Sequence, residues 1–236
     1  MNHSVISVVI PAYNEEKTIG EVLSKTISVM ESLGRPYEII VVDDGSTDRT
    51  LEIASTYKVT VLSNGRNKGK GYALRKGFQH AKGDVIVTID SDGAHDPKDI
   101  PEMLKPIFNG ADVVSGSRFL GASKDFTSSL NRLGNFLINF IIMVLTRKRI
   151  TDSQTGFRAI KKEILEKLCL ESIGYEIETE LTIKTLKNGF IIQEKPIACK
   201  KRRYHNSKLR VLYDGIKILK TILKFNFNSK IKHVRA

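Results

Sequence analysis

The sequence predicts an α/β fold, a mostly parallel sheet with helices on both faces. Two observations predict it. Short runs of β-branched and apolar residues alternate with stretches of helical period, the pattern of parallel strands joined by crossover helices. Three of those runs end in polar or acidic clusters: Pro11 to Glu15, Asp43-Asp44, and Asp90 to Asp92. In open α/β sheets ligands bind outside the carboxyl ends of the strands, so the three clusters are expected to line one crevice. The 236 residues, 41% of them hydrophobic, suffice for one substantial core.

In chain order, Val5 to Ile10 is an apolar strand stopped by Pro11. Asn14 can cap a helix from about Glu15 to Leu33, which Gly34 ends. Glu38 to Val42 is a second strand, and Thr47 or Asp48 caps a helix to about Tyr57. Val59 to Leu62 is a third strand. Asn67 to Gly71 (NKGKG) reads as an ordinary strand-to-helix turn rather than a phosphate loop, because neither phosphate-loop spacing is met. A helix from Tyr72 to about Ala81 precedes the strand Val85 to Ile89. Pro97 to Phe108 is a helix and Asp112 to Ser115 a strand. Leu133 to Thr146 is too short to span a bilayer, and reads as a core helix or one lying in a membrane interface. Asp152 to Arg158 is a polar turn leading to a helix around Glu163 to Leu168; Glu176 to Lys187 is a helix and Phe190 to Ile197 a strand. A basic loop, Lys200 to Arg203, leads to a last helix from about Leu209 to Phe225. The domain division is then 1–208 for the α/β domain and 209–236 for a basic amphipathic helix and tail.

Net charge of +12 implies acidic partners: nucleic acid, anionic lipid or phosphorylated substrates. No nucleic-acid-binding motif is present, and few aromatics lie beside the basic runs. Two cysteines argue against a disulfide scaffold and fit a reducing compartment. No signal-peptide pattern opens the chain, and it contains no run of 18 apolar residues.

The chemistry concentrates at Asp90-Ser91-Asp92. Two carboxylates at the end of an apolar strand repel each other unless a divalent cation sits between them, and oxygen ligands suit Mg²⁺ or Mn²⁺. Such ions usually also grip a substrate diphosphate. A polar turn with an Asp cap is the other reading of these residues.

VVIPAYNEE, VVDDGSTD, DSDGAHDP and GSRF follow one another in the order found in family 2 glycosyltransferases of GT-A (Rossmann-like) fold. With DSQTGFR and the late SKL, the sequence resembles the polyprenyl-phosphate branch, which includes the dolichyl-phosphate mannose and glucose synthases. The resemblance covers about residues 4 to 210. It implies transfer of a hexose from a nucleotide sugar to a polyprenyl (dolichyl) phosphate, with Mg²⁺ or Mn²⁺. Pro11, Tyr13 and Glu15 resemble the loop that holds the nucleotide; Asp44, with backbone near Val42, resembles the residue that pairs with the base. Asp90 and Asp92, with Ser91 between them, resemble the metal and diphosphate site. Arg118, Arg132 and Arg202 resemble the arginines that hold the acceptor phosphate, and Lys208 is expected to help hold a phosphate. Some mannose synthases carry a Gln metal ligand where Ala94 stands, which leaves that place to water or His95. His205 stands where the family often has Gly, and NKGKGYALRKG is more similar to the glucose-type enzymes. Glu180 is open between a catalytic carboxylate and a helix-surface charge.

A phosphate monoester, with a second pKa near ~6, is already largely dianionic at neutral pH and needs capture rather than a general base. Arginine suits that task because its planar fork binds phosphate at two points. In-line displacement then implies inversion. The absence of any Trp excludes the Gln-x-x-Arg-Trp motif of processive polymer synthases. The competing readings are transfer to a glycan hydroxyl, and a non-catalytic basic membrane-binding module. The lipid acceptor implies a membrane surface, and the C-terminal helix, with Leu209, Leu212, Ile216, Leu219 and Leu223 at helical spacing, is the better anchor. The expected location is cytoplasmic, peripheral on the membrane, with a role left open for a small membrane-protein partner.

Overall fold

A computed structural model describes residues 4–121, 129–200 and 211–227. Seven strands form one sheet: β1 (Ile6–Ala12), β2 (Tyr37–Asp43), β3 (Thr60–Ser63), β4 (Val85–Thr88), β5 (Val113–Ser117), β6 (Arg158–Lys161) and β7 (Ile192–Pro196). Their order is β3-β2-β1-β4-β6-β5-β7. Neighbours pair in parallel except at β6, which runs antiparallel to both β4 and β5.

Helices cover both faces. On one side lie α1 (Ile19–Leu33), α2 (Thr50–Ser55) and α4 (Ile100–Phe108); on the other lie α3 (Lys70–His80), α6 (Lys162–Leu168) and α7 (Ile177–Lys187). The two-residue period of β1 sorts its side chains accordingly: Ile6, Val8 and Ile10 enter the first layer and Val9 the second. Because both faces are buried, the strand reads as one apolar run. A Cβ on Gly77 of α3 would come within 2.4 Å of Val9 Cγ1, so this glycine is what lets α3 lie close on β1.

The observed helix α1 starts four residues after the expected Glu15. Asn14 takes a left-handed φ of 52° and caps no helix; its Oδ1 accepts from the Thr47 backbone N–H at 2.8 Å. The chain after β1 is thereby tied to the chain after β2. Asp48 Oδ1 does accept from the Thr50 N–H at 2.9 Å, as an acid before α2 should. Gly34 ends α1 with φ 64°, as expected.

The main departure is β6. Residues 158 onward were expected to pass from a turn straight into a helix, yet Arg158–Lys161 forms a central strand. In the remaining helices, α5 (Ser129–Thr146) and α8 (Val211–Phe227), a third cluster forms. Ile142 of α5, Ile183 of α7 and Ile218, Ile222 and Phe225 of α8 are buried together. One side of α8 therefore faces the protein, while Ile216, Leu219 and Leu223 of the expected stripe are exposed. The broader exposed apolar surface belongs to α5: Leu133, Phe136, Leu137, Phe140 and Val144 are all at least half exposed. No helix among the described residues is long and apolar enough to cross a membrane.

Candidate active site

The ends of β1, β2 and β4 are bound to one another. Ser91 Oγ donates to the Pro11 carbonyl at 2.8 Å, and the Asp44 N–H donates to the Ala12 carbonyl at 2.8 Å. Asp43 accepts from the Gly45 and Ser46 N–H groups and closes the turn after β2. Glu15 is buried; its N–H donates to Thr50 Oγ1 at 2.7 Å and its Oε2 accepts from Thr18. Tyr13 is half-buried between these loops, and Val42 is fully buried in β2.

Asp44 ties the end of β2 to the chain that follows β3. Its Oδ1 accepts from Asn64 Nδ2 at 2.8 Å and the Lys68 N–H at 2.9 Å, and its Oδ2 from the Gly69 N–H at 2.8 Å. Two of these charge-assisted bonds fix the NKGKG loop to the end of β2, and the third ties Asn64 there. That loop presents Lys70, which sequence reading missed. The Lys70 ammonium lies 2.7 Å from Asp90 Oδ1 and 3.1 Å from Glu178 Oε1. Burial alone would lower its pKa; Asp90 and Glu178 outweigh that and hold it raised. Gly156 closes over the pair, since a Cβ there would lie 2.6 Å from both Asp90 Oδ2 and Lys70 Nζ.

Behind Glu178 sits Arg158, fully buried, with Nε 3.2 Å from Glu178 Oε2 and donating at 3.0 Å to the Thr155 carbonyl. Burial holds its pKa below the usual guanidinium value despite Glu178. The row Asp90, Lys70, Glu178, Arg158 alternates in sign, which is what makes four charged groups tolerable there.

Glu180 is not the helix-surface charge. Fully buried, it accepts from the Glu171 and Ser172 N–H groups and pairs with Lys184 at 2.6 Å. It holds the segment whose Ile173 carbonyl receives the Tyr72 N–H, at the start of α3.

On the other side of the crevice, Arg118 is gripped by Asp152. Nε and Nη2 donate at 2.6 and 2.8 Å, and its backbone N–H adds a third bond at 3.1 Å. Two of its five N–H donors are therefore committed to a carboxylate. Burial would raise the Asp152 pKa, but Arg118 holds it below the ordinary value. Arg132 of α5 lines a groove of about 260 Å³ with Phe119, Phe136, Phe140, Met143 and Arg149. Arg202 and Lys208 lie outside the described residues.

Asp92 Oδ1 accepts from the Ala94 N–H at 2.9 Å. His95 is buried against Phe157, both ring nitrogens without a hydrogen-bond partner, and feels the charges of Asp90, Asp92, Arg118 and Lys70. Among the described residues no three His, Cys, Asp or Glu side chains form a complete metal cage. A hard cation needs none: Mg²⁺ takes one or two carboxylates and completes its shell with substrate phosphates and water. Asp90 and Asp92 fit that use, with the unpartnered His95 ring beside them.

Residues 7–169 match the family model described as glycosyl transferase family 2. The chain is 37% identical over 187 residues to a dolichol-phosphate mannosyltransferase of Pyrococcus furiosus, covering 76% of this chain and 52% of that protein. It thus spans about half the length of that relative. It is 33% identical to an undecaprenyl-phosphate 4-deoxy-4-formamido-L-arabinose transferase of Edwardsiella ictaluri, over 92% of this chain and 68% of the other. An uncharacterised protein of Methanocaldococcus jannaschii is 39% identical over 93% of this chain and 91% of its own length. Among solved structures, the glucosyl-3-phosphoglycerate synthase of Mycobacterium tuberculosis, crystallised with Mn²⁺, uridine diphosphate and phosphoglyceric acid, superposes with a TM-score of 0.76. That match has 26% identity and covers 94% of this chain and 78% of that one. The GT-A fold expected from the motifs is the fold observed. With the family's model matched over most of its length, the chain belongs to glycosyl transferase family 2 and is a glycosyltransferase.

Proposed function

We propose that this enzyme transfers a hexose from a nucleotide sugar to a polyprenyl phosphate, with inversion, at a membrane surface. The observation that carries it is the groove beside Arg132: a cation on an apolar channel, opening onto the exposed apolar face of α5. A phosphorylated lipid has that polarity, and a glycan does not. Exposed apolar patches of this kind mark interaction sites. The named activities of the Pyrococcus and Edwardsiella relatives support the same acceptor class.

Pro11, Tyr13 and Glu15 form the wall for the nucleotide. Val42 and Asp44 stand at the base, where Asp44 also shapes the wall through the loop it anchors. Asp90, Ser91 and Asp92 face the diphosphate. A divalent ion, Mg²⁺ or Mn²⁺, held by Asp90 and Asp92 offsets charge on the leaving diphosphate. Arg118, Arg132 and Arg202 orient the acceptor phosphate, Lys208 helps hold a phosphate of the nucleotide sugar, and Asp152 fixes the plane of the Arg118 guanidinium. No side chain need remove a proton, because the phosphate is already anionic. The α5 face and the neighbouring exposed residues of α8 rest on the bilayer, and Arg147, Lys148 and Arg149 meet anionic headgroups at about 1 kcal/mol each.

The test is a transfer assay with radiolabelled GDP-mannose and UDP-glucose, with and without a short polyprenyl phosphate. Label in the lipid phase with one donor supports the reading and names the sugar. Transfer to a glycan hydroxyl with none to the polyprenyl phosphate overturns it.

A further inference from the structure

The Asp90 carboxylate is already held by a cation. Lys70 Nζ lies 2.7 Å from it, and the two side chains are 15% and 20% exposed. Any divalent ion arriving at Asp90 must compete with that ammonium, because two cations on one carboxylate repel each other. Lys70 has a second carboxylate, Glu178 at 3.1 Å, so its charge keeps a partner when it swings off Asp90. Glu178 is itself positioned by Arg158 on its other oxygen. The NKGKG backbone that carries Lys70 is pinned by Asp44, so the movement is confined to the side chain. An ammonium on a flexible stem is a ready phosphate ligand.

We propose that Lys70 is a tethered cation that keeps Asp90 from taking up a free divalent ion, and that a nucleoside diphosphate releases Asp90 by drawing the Lys70 ammonium onto its own phosphates. This rests on the reading of Asp90 and Asp92 as the metal and diphosphate residues. Lys70 then serves as a positioning residue that makes metal and nucleotide bind together, and the bare site stays closed to ions.

The experiment titrates the full chain with Mn²⁺ and follows the free ion by electron paramagnetic resonance, alone and with GDP or UDP. Wild type is expected to bind Mn²⁺ weakly alone and at least tenfold more tightly with one of the two nucleotides. Lys70→Met should bind Mn²⁺ alone at least tenfold more tightly than wild type, and gain correspondingly less from the nucleotide. Lys70→Arg, which keeps the charge, should stay within twofold of wild type. Should Lys70→Met fail to fold, Lys70→Gln carries the same comparison. If removing the ammonium leaves affinity for Mn²⁺ alone unchanged or weaker while wild type still gains from nucleotide, the tethered-cation role is overturned and the metal site stands. If wild type binds no Mn²⁺ even with GDP or UDP, the metal reading falls, and this inference with it.

Discussion

Asp152→Ala removes the carboxylate that grips Arg118, and its cost can be worked from the geometry. Asp152 is fully buried and the Arg118 side chain 20% exposed. Breaking a buried ion pair by deleting one partner costs roughly 3–5 kcal/mol. The residual exposure of Arg118 lets water reach the orphaned guanidinium, which favours the low end, about 3 kcal/mol. In a chain of this size each kcal/mol moves Tm by about 2–4 °C, so a fall of roughly 6–12 °C is expected. Asp152→Asn keeps the shape and loses the charge, and should fall by about half as much. The pH dependence is a second readout. Arg118 holds the folded Asp152 pKa below its ordinary 3.8, so the stabilisation is present above that value and is lost as pH falls through the folded pKa. The Tm gap between wild type and Asp152→Asn should be constant from about pH 8 to 5 and close below about pH 4. Thermal melts followed by circular dichroism across that range make the measurement. Equal melting of all three proteins at neutral pH, or a gap that widens in acid, would refute the reasoning.

Asp92→Ala should abolish transfer with the melting temperature little changed, and excess chelator should do the same to wild type; full activity in chelator sinks the metal assignment. Arg132→Ala should lower kcat/KM for polyprenyl phosphate by one to two decades, the roughly 1.5–3 kcal/mol of a charged hydrogen bond, while calorimetry shows nucleotide-sugar affinity unchanged. Arg118→Ala should weaken acceptor use too, but it also strands Asp152, so a fall in Tm must accompany it. Gly156→Ala forces a methyl against Asp90 and Lys70 and should cut activity while leaving far-UV circular dichroism intact; wild-type rates would show that the close approach is unimportant. Phe136→Glu with Phe140→Glu should reduce sedimentation with anionic vesicles more than Leu219→Glu with Leu223→Glu; the reverse order would return the anchor to α8.

The sheet was legible where strands are buried on both faces, because β1, β2 and β4 then appear as largely apolar runs. β6 was not. It opens with Arg158, and a charge at the start of a four-residue stretch looks like the end of a turn. Glu178, twenty residues on and in another element, supplies the opposite charge that arginine needs in the core, with the Ser153 and Thr155 carbonyls accepting beside it. Lys70 was hidden the same way: its partners Asp90 and Glu178 are distant in sequence, while its glycine-rich neighbours announce a turn. Asp90 and Asp92 stood out because their chemistry is local, two acids at one strand end. Asp152 and Gly156 lay inside a motif that was noticed but whose geometry depends on β5 and α3. Asn14 misled by type: it is a good helix cap, but the loop after β2 claims its side chain first.

The reversed strand has a further consequence. Within the sheet, β6 is the seam between β3, β2, β1 and β4, three of which end at the proposed nucleotide site, and the two strands β5 and β7 that lead toward Arg118 and the groove. Running antiparallel, it brings its amino end, not its carboxyl end, to the rim, so residues 152–158 enter the crevice on the way into the strand. One heptapeptide thereby reaches both proposed substrate regions: Asp152 holds Arg118, Gly156 covers Asp90, and Arg158 steadies Glu178. Under the proposed function, 152–158 is the place where a change of sugar and a change of lipid would have to be reconciled.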